Sequence, residues 1–278
     1  MRIFAFSDEA ASDLGGQIAA MKRNGLDGTE IRGVNGRSIV AHTAEEAKEV
    51  LRQLKDNGLR VWSVGSPIGK IPLDGDFAGH LDLLRHTLEL ANVLECANLR
   101  MFSFYLPEGA KLEDCRNEVI DKLAQMAETA EGSGVALCHE NEKGIYGDVA
   151  ARCLDLYKHF GGRLKLVFDP ANFIQCGQDV PEAWKLLGSR VYYMHIKDAV
   201  ADGTVVPAGK GLGHLPEILA DYRARGGETV TVEPHLRVFD GLQGLEQGTG
   251  QKRAMPAGVY ATADEAFDTA CNALRKLI

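Results

Sequence analysis

The chain repeats one pattern along its length, a short apolar strand followed by an amphipathic helix, and this repetition restricts the folds open to it. Two early helices end in the same way, at Asn24-Gly25-Leu26 and again 33 residues later at Asn57-Gly58-Leu59, each just before an apolar strand. Glycine at the end of a helix favours the left-handed backbone that closes it. The repeated punctuation therefore predicts a series of βα units with parallel strands.

The whole sequence contains eight such strands and eight helices in strict alternation, and no change of composition marks a boundary between domains. Barrels of eight βα units commonly have about 250 residues. We therefore expect an α/β fold, a single (β/α)8 TIM barrel that forms one domain over residues 1–278. An open doubly wound sheet is the competing topology, but the turn after the first strand, Ser7-Asp8-Glu9-Ala10, lacks the glycine fingerprint of that fold.

Four of the predicted strands end in a residue that can bind a metal ion: Glu140, Asp169, His195 and Glu233 close the fifth to eighth strands. Such a residue on its own is most often a solvated side chain or a helix cap. Its recurrence at four successive strand ends, which meet at one rim of a barrel, favours a shared site. Three carboxylates and one imidazole suit Mn²⁺ or Mg²⁺ better than a structural zinc ion, and three converging anions require a cation. The sequence predicts one divalent metal ion bound by these four residues.

Polar residues next to these ligands are candidates for contact with a substrate. Asn172 either contacts the substrate or caps a turn, and Lys197 is expected to share a strand face with His195. His235 either reaches a substrate hydroxyl or is a rim histidine without a role. We include Asn172, Lys197 and His235 among the predicted substrate-binding residues.

Two further candidates have an equally plain structural interpretation. Glu142 is either a second carboxylate screened by Lys143 or half of a surface pair. Arg32 shares a strand face with Glu30, so it either forms an internal ion pair or contacts the substrate. The glycine-rich stretch 209–213 lacks the spacing of a phosphate-binding loop, which favours a lid.

Charge and composition limit the partners. The net charge of −8 and the pI near 5.5 argue against nucleic acid, which requires a basic surface, and favour a small neutral or modestly charged partner. The chain contains no apolar run of about 20 residues and no signal peptide, so no membrane association is expected. Six cysteines without a C-x-x-C pair indicate reduced thiols and a cytoplasmic protein. The long loop at 234–261 is compatible with a homo-oligomer.

With these residues in place, the chain resembles the xylose-isomerase-like TIM-barrel superfamily, in its sugar phosphate isomerase/epimerase branch. The matching segments lie in the C-terminal half, whereas the N-terminal half matches only in its barrel rhythm. They are His139-Glu140-Asn141, Phe168-Asp169-Pro170-Ala171-Asn172, His195-Ile196-Lys197-Asp198, the Gly209–Gly213 loop with Leu215-Pro216-Glu217-Ile218-Leu219, and Glu233-Pro234-His235.

The resemblance implies one Mn²⁺ or Mg²⁺ on the four predicted ligands. It also implies that Glu140 and Glu233 are catalytic, because the corresponding carboxylates form the acid/base pair of the ketose 3-epimerases in this superfamily. Those epimerases have a histidine where Asn172 stands and an arginine where Lys197 stands. The resemblance therefore implies the metal site and the reaction class without implying a ketose substrate.

The chemistry expected at such a site is proton transfer next to a carbonyl group. A divalent ion chelated by a carbonyl and its neighbouring hydroxyl acidifies the C–H between them and stabilises an enediolate. Re-protonation then gives an isomerase or epimerase, whereas loss of a β-substituent gives the alternative, a lyase or dehydratase acting on a keto-sugar, keto-inositol or keto-glycoside. An apurinic-site endonuclease shares this barrel but needs extra histidines where the chain has Ser66-Pro67 and Phe104-Tyr105.

Overall fold

A computed structural model describes residues 1–239 and 258–278. Eight parallel strands form a closed barrel in which each strand pairs with its neighbours in chain order and the last pairs with the first. The strands are β1 Arg2–Ala5, β2 Gly28–Ile31, β3 Arg60–Gly65, β4 Asn98–Met101, β5 Ala136–Glu140, β6 Lys165–Phe168, β7 Val191–Ile196 and β8 Thr229–Val232. The predicted (β/α)8 barrel is confirmed, while its extent as one domain over all 278 residues stays a prediction.

Helices separate the strands and surround the barrel. They are α1 Leu14–Arg23, α2 Ala44–Asp56, α3 Phe77–Val93, α4 Leu112–Ala130, α5 Ala150–His159, α6 Pro170–Gln175, α7 Val180–Leu187, α8 Leu215–Ala224 and α9 Ala263–Arg275. The sequence did not predict the short helix α6, which begins directly after Asp169. Two small antiparallel ribbons lie beyond β2 and β7, and the second pairs Asp198–Ala199 with Val205–Val206.

Local sequence signals define the ends of these helices as expected. Thr43 and Glu46 form a reciprocal capping box at the start of α2. Gly25 and Gly58, which follow α1 and α2, have φ values of +50° and +72°. Glycine adopts this left-handed conformation without the steric penalty of a side chain, so both helices can turn sharply into the next strand.

The alternation of side chains along the strands determines which residues reach the barrel interior. On β6, Val167 packs against Cys138 and Tyr193, whereas Leu166 and Phe168 belong to the larger cluster formed with the helices. The Tyr193 hydroxyl donates a hydrogen bond across the barrel to the carboxylate of Glu30 on β2, at 2.9 Å. Because the side-chain period of a strand is two, residues two positions further along lie on this same interior face, nearer the rim.

All six cysteines are unpaired, and five of them are buried. No helix among the described residues is both long and apolar enough to cross a membrane. Most of the predicted loop at 234–261 lies outside the described residues, since positions 240–257 are not part of them.

Candidate metal centre

The four predicted ligands lie together at the carboxyl-terminal rim of the barrel. Glu140 ends β5, Asp169 follows β6, His195 lies in β7 and Glu233 follows β8. One ligand atom from each of the four lies within 4.8 Å of the others, and all four side chains are buried. The predicted convergence is therefore present in the structure. That these residues bind a metal ion stays a prediction.

His195 lies at the middle of this cluster and has a different carboxylate at each ring nitrogen. Its Nδ1 is 3.0 Å from Oε1 of Glu140 and 3.5 Å from Oε2 of Glu233. Its Nε2 is 3.1 Å from Oε2 of Glu30. Since an ionised carboxylate only accepts hydrogen bonds, Nε2–H points at Glu30, as in the carboxylate–histidine pairs that orient metal ligands. Nδ1 is thereby directed at the cluster.

The protonation of His195 follows from these neighbours. Burial alone would lower the pKa of the imidazole, but the charges of Glu140 and Glu30 outweigh it and hold the pKa well above its ordinary value. In the metal-free protein the ring is therefore an imidazolium that neutralises part of the carboxylate charge. A bound cation would take over this role, because Nδ1 must lose its proton to become a ligand.

Lys197 supplies a second positive charge. Its Nζ lies 2.8 Å from Oδ2 of Asp169 and 2.9 Å from Oε2 of Glu233, and it is buried with them. Burial raises the pKa of Asp169 to about 7 although Lys197 opposes the shift. Burial acts in the same direction on Glu233, but Lys197 and His235 outweigh it and hold the pKa well below its usual range. Most of the donor atoms are oxygens, and the carboxylates already lie beside the positive charges of His195 and Lys197. Such a donor set fits a hard divalent ion.

Arg100 on β4 was not predicted as a site residue. Its Nη1–H donates to Oε2 of Glu140 at 3.1 Å, and its Nη2–H donates to the carbonyl oxygen of Ser66 at 3.2 Å. The guanidinium lies over the rings of Phe6 and Phe102, at 5.1 and 4.8 Å from their centroids. Burial raises the pKa of Glu140, but His195 and Arg100 outweigh it and keep the pKa below its ordinary value. An arginine within a buried barrel strand was the sequence signal for this contact.

Asn172 lies against the cluster through its side chain. Its Nδ2–H donates to Oε1 of Glu140 at 3.2 Å and to the carbonyl oxygen of Asn141 at 2.9 Å. Its backbone N–H donates to Oδ1 of Asp169, which caps α6. The contact that caps α6 is thus made by the backbone of Asn172. Its side-chain amide positions Glu140.

Arg32 does not pair with Glu30. It lies one residue beyond β2, where its guanidinium reaches Asp8 at 2.9 Å and Glu9 at 3.0 Å in the segment after β1. Glu30 lies deeper in the barrel and contacts His195 instead. Of the two alternatives left open for Arg32, an internal ion pair is present with Asp8 and Glu9 in place of Glu30, and the substrate contact stays a prediction.

His235 joins Arg32 and Glu9 beside Glu233. Its Nδ1 lies 3.0 Å from Oε1 of Glu9 and 3.4 Å from Oε1 of Glu233, and its backbone adopts a left-handed φ of +45°. Glu9, Glu233 and His235 have ligand atoms close enough to form a second metal-binding group. The Arg32 guanidinium already lies 3.0 Å from Glu9 and 3.7 Å from Glu233. Glu233 belongs to both groups, and the ion predicted for the first group stays a prediction.

Glu142 is not part of a surface pair, since both it and Lys143 are buried. Its Oε2 lies 2.8 Å from Nζ of Lys70, which is positioned over the ring of Phe102 at 4.2 Å. Lys70 comes from the loop after β3 and was not predicted as a site residue. Glu142 is thus a rim carboxylate with a buried cationic partner from the loop after β3.

No curated protein sequence matches the chain. Among solved structures, the probable 3-DHS dehydratase AsbF from Bacillus anthracis has a TM-score of 0.75 and 16% identity, over 99% of this chain and 98% of that one. D-psicose 3-epimerase in the presence of D-fructose has a TM-score of 0.75 and 18% identity, over 99% and 98%. The IOLI protein with a binding zinc atom has a TM-score of 0.74 and 16% identity, over 100% and 98%.

At these identities the solved structures establish the likeness of fold alone. A family model described as the xylose isomerase-like TIM barrel matches residues 18–255, which is most of the chain. This span includes seven of the eight barrel strands and all four clustered side chains. The resemblance inferred from the sequence is confirmed, and the chain belongs to the xylose isomerase-like TIM barrel family.

Proposed function

We propose that the protein is a divalent-metal-dependent isomerase or epimerase that acts on a sugar or sugar derivative through an enediolate. The observation that carries this proposal is the placement of both Glu140 and Glu233 beside one imidazole nitrogen, Nδ1 of His195, at 3.0 Å and 3.5 Å. Two intervening strands, β6 and β7, separate the origins of the two carboxylates. They therefore reach the centre of the rim from different directions.

Glu140, Asp169, His195 and Glu233 would hold the ion, which we propose to be Mn²⁺ or Mg²⁺. When bound, such an ion polarises a substrate carbonyl and the adjacent hydroxyl and so acidifies the C–H between them. The zinc atom in the structure of the IOLI protein supports the proposal that a barrel of this kind accommodates a divalent ion.

We assign proton transfer to Glu140 and Glu233. Both have a pKa below the ordinary value, so both are ionised at neutral pH, and their position against the C–H matters more than their basicity. Arg100 and Asn172 fix the carboxylate of Glu140 through two hydrogen bonds, and Lys197 fixes that of Glu233. Held in this way, the two carboxylates lose little rotamer freedom when the substrate binds.

Substrate oxygens would be bound by the polar side chains around the cluster. We assign this role to Asn172, Lys197, His235, Glu142 and Arg32, all of which are buried at the rim. Lys197 also supports a second candidate reaction. Its ammonium lies 2.9 Å from Glu233, where it can give a proton to a leaving hydroxyl, so a metal-dependent lyase or dehydratase acting on a keto-sugar, keto-inositol or keto-glycoside is the alternative. The likeness to a probable dehydratase is consistent with it.

The decisive experiment is incubation of the Mn²⁺-loaded protein in D₂O with ketoses, ketose phosphates and 3-keto glycosides. Deuterium at one carbon with inversion supports an epimerase, migration of the carbonyl supports an isomerase, and loss of a substituent supports a lyase. The variant Glu233→Gln is expected to lose the exchange. Its control is Glu128→Gln, which makes the same chemical change on an exposed helix surface. Absence of exchange with every member of the panel would overturn the catalytic proposal.

A further inference from the structure

Asp198 has a fully buried carboxylate that accepts four backbone hydrogen bonds. Its Oδ1 accepts from the N–H groups of Ala199 and Gly213 at 2.9 and 2.8 Å, and its Oδ2 accepts from those of Gly209 and Gly211 at 2.9 Å each. Three of these donors are alternate residues of the glycine-rich loop that joins β7 to α8. The loop is therefore wrapped around one side chain of the protein itself.

Several backbone N–H groups of a glycine-rich loop that converge on two oxygens form the arrangement with which proteins bind phosphate. In TIM barrels the usual phosphate site lies in the loops after the seventh and eighth strands, and this loop follows β7. Here the carboxylate of Asp198 fills the position of the anion. The loop is shaped to it, because a Cβ atom on Gly211 would lie 2.4 Å, and one on Gly213 2.7 Å, from Oδ1 of Asp198.

The cationic side chains at the rim are also paired with carboxylates of the protein itself. Four cationic side chains at the rim are buried and have a carboxylate partner: Arg32 with Asp8 at 2.9 Å, Arg100 with Glu140 at 3.1 Å, Lys70 with Glu142 at 2.8 Å and Lys197 with Asp169 at 2.8 Å. A phosphate group would have to displace one of these carboxylates within a buried site. Separating a buried ion pair leaves an uncompensated charge and is strongly unfavourable.

We propose that Asp198 acts as an internal anion that occupies the phosphate-binding position of the barrel, so that the protein selects an uncharged sugar or keto-sugar over its phosphate ester. The selectivity rests on the proposed function. The occupation of the loop by Asp198 does not, and it is tested separately.

The test of the loop uses Asp198→Ala, which leaves the four N–H donors without their acceptor, and inorganic phosphate as the probe. Phosphate is expected to raise the melting temperature of this variant by about 3 °C or more over chloride at equal ionic strength, which corresponds to roughly 1 kcal/mol of binding. The wild type is expected to show no such difference. The matched control is Asp202→Ala, which removes an exposed aspartate from the same β7–α8 segment. If phosphate stabilises Asp198→Ala no more than the wild type or Asp202→Ala, the proposal is overturned.

If Asp198→Ala is isolated unfolded, its refolding yield from urea replaces the melting temperature. A yield that rises in phosphate and not in chloride supports the proposal, and an equal yield in the two salts contradicts it. The selectivity is measured on the wild type as the ratio of kcat/KM for a sugar and for its phosphate, expected to exceed 100-fold. A preference for the phosphate refutes the selectivity. If no sugar is turned over, the proposed function has failed, and the phosphate dependence of Asp198→Ala still decides the role of the loop.

Discussion

Glu30 lies 3.1 Å from Nε2 of His195, at the ring nitrogen opposite the one that faces Glu140. The two residues come from β2 and β7 on different sides of the barrel, and the hydroxyl of Tyr193 holds the same carboxylate from below at 2.9 Å. The orientation of the histidine therefore depends on a side chain outside the predicted ligand set.

Replacing Glu30 tests this relationship. In Glu30→Gln the side chain keeps an acceptor oxygen but loses its charge, which makes the imidazole a poorer ligand. We expect the affinity of Glu30→Gln for Mn²⁺ to fall by about 10-fold, which is at the low end of the losses seen when a residue that supports a metal ligand is replaced. The affinity of Glu30→Ala for Mn²⁺ should fall further. Competition with a chelator measures both affinities, and Glu128→Gln is the control. An unchanged affinity in Glu30→Ala would mean that the carboxylate does not support His195.

Glu233→Gln tests the assignment of the proton-transfer residues. The amide is nearly isosteric, so the circular dichroism spectrum and the barrel should be preserved. It cannot take up a proton, however, and general acid–base catalysis by one group commonly contributes about 10²–10⁴-fold. We expect deuterium exchange into the substrate to fall by at least that factor. Turnover at the wild-type rate would exclude Glu233 from the reaction.

Lys197→Met separates the ammonium from the carboxylates that it neutralises. The methionine preserves most of the volume but leaves Asp169 and Glu233 buried without their nearest cation, a loss of about 3–5 kcal/mol in comparable cases. We expect the metal-free variant to unfold at a lower urea concentration and Mn²⁺ to restore more stability to it than to the wild type. Equal gains from Mn²⁺ in the two proteins would show that Lys197 and the ion do not serve the same carboxylates.

Metal affinity and the stability of the metal-free protein should change with pH in opposite directions. The pKa of His195 is raised well above its ordinary value of 6.5 in the folded protein. The stability that it contributes is therefore fully present below pH 6.5 and is lost as the pH rises through the folded pKa. Over the same interval Mn²⁺ should bind more tightly, since it no longer displaces a proton from Nδ1. Chelator competition and urea unfolding measured across this range provide the check, and parallel changes would contradict it.

The barrel and the four clustered residues were predictable because both depend on short-range pattern. A strand's period of two fixes which face a residue takes, and four successive strand ends must share a rim. Partners across the barrel were not predictable in this way. Glu30 and His195 are 165 positions apart, and Lys70 and Glu142 are 72 apart, so the stagger of the strands decides whether they meet. Helix α6 was missed because its six residues are too few to show an apolar period.

The pairing of β1 with β8 closes the barrel and completes the site during folding. All four clustered side chains belong to the second half of the chain, while Glu30, Arg32 and Arg100, which orient or neutralise them, belong to the first. A nascent chain that lacked either half would lack either the clustered side chains or the residues that orient and neutralise them. Activity should therefore appear in a single late step of folding, when the two edges of the curved sheet join. A chain that is cut at its middle should be active only when its two fragments reassociate.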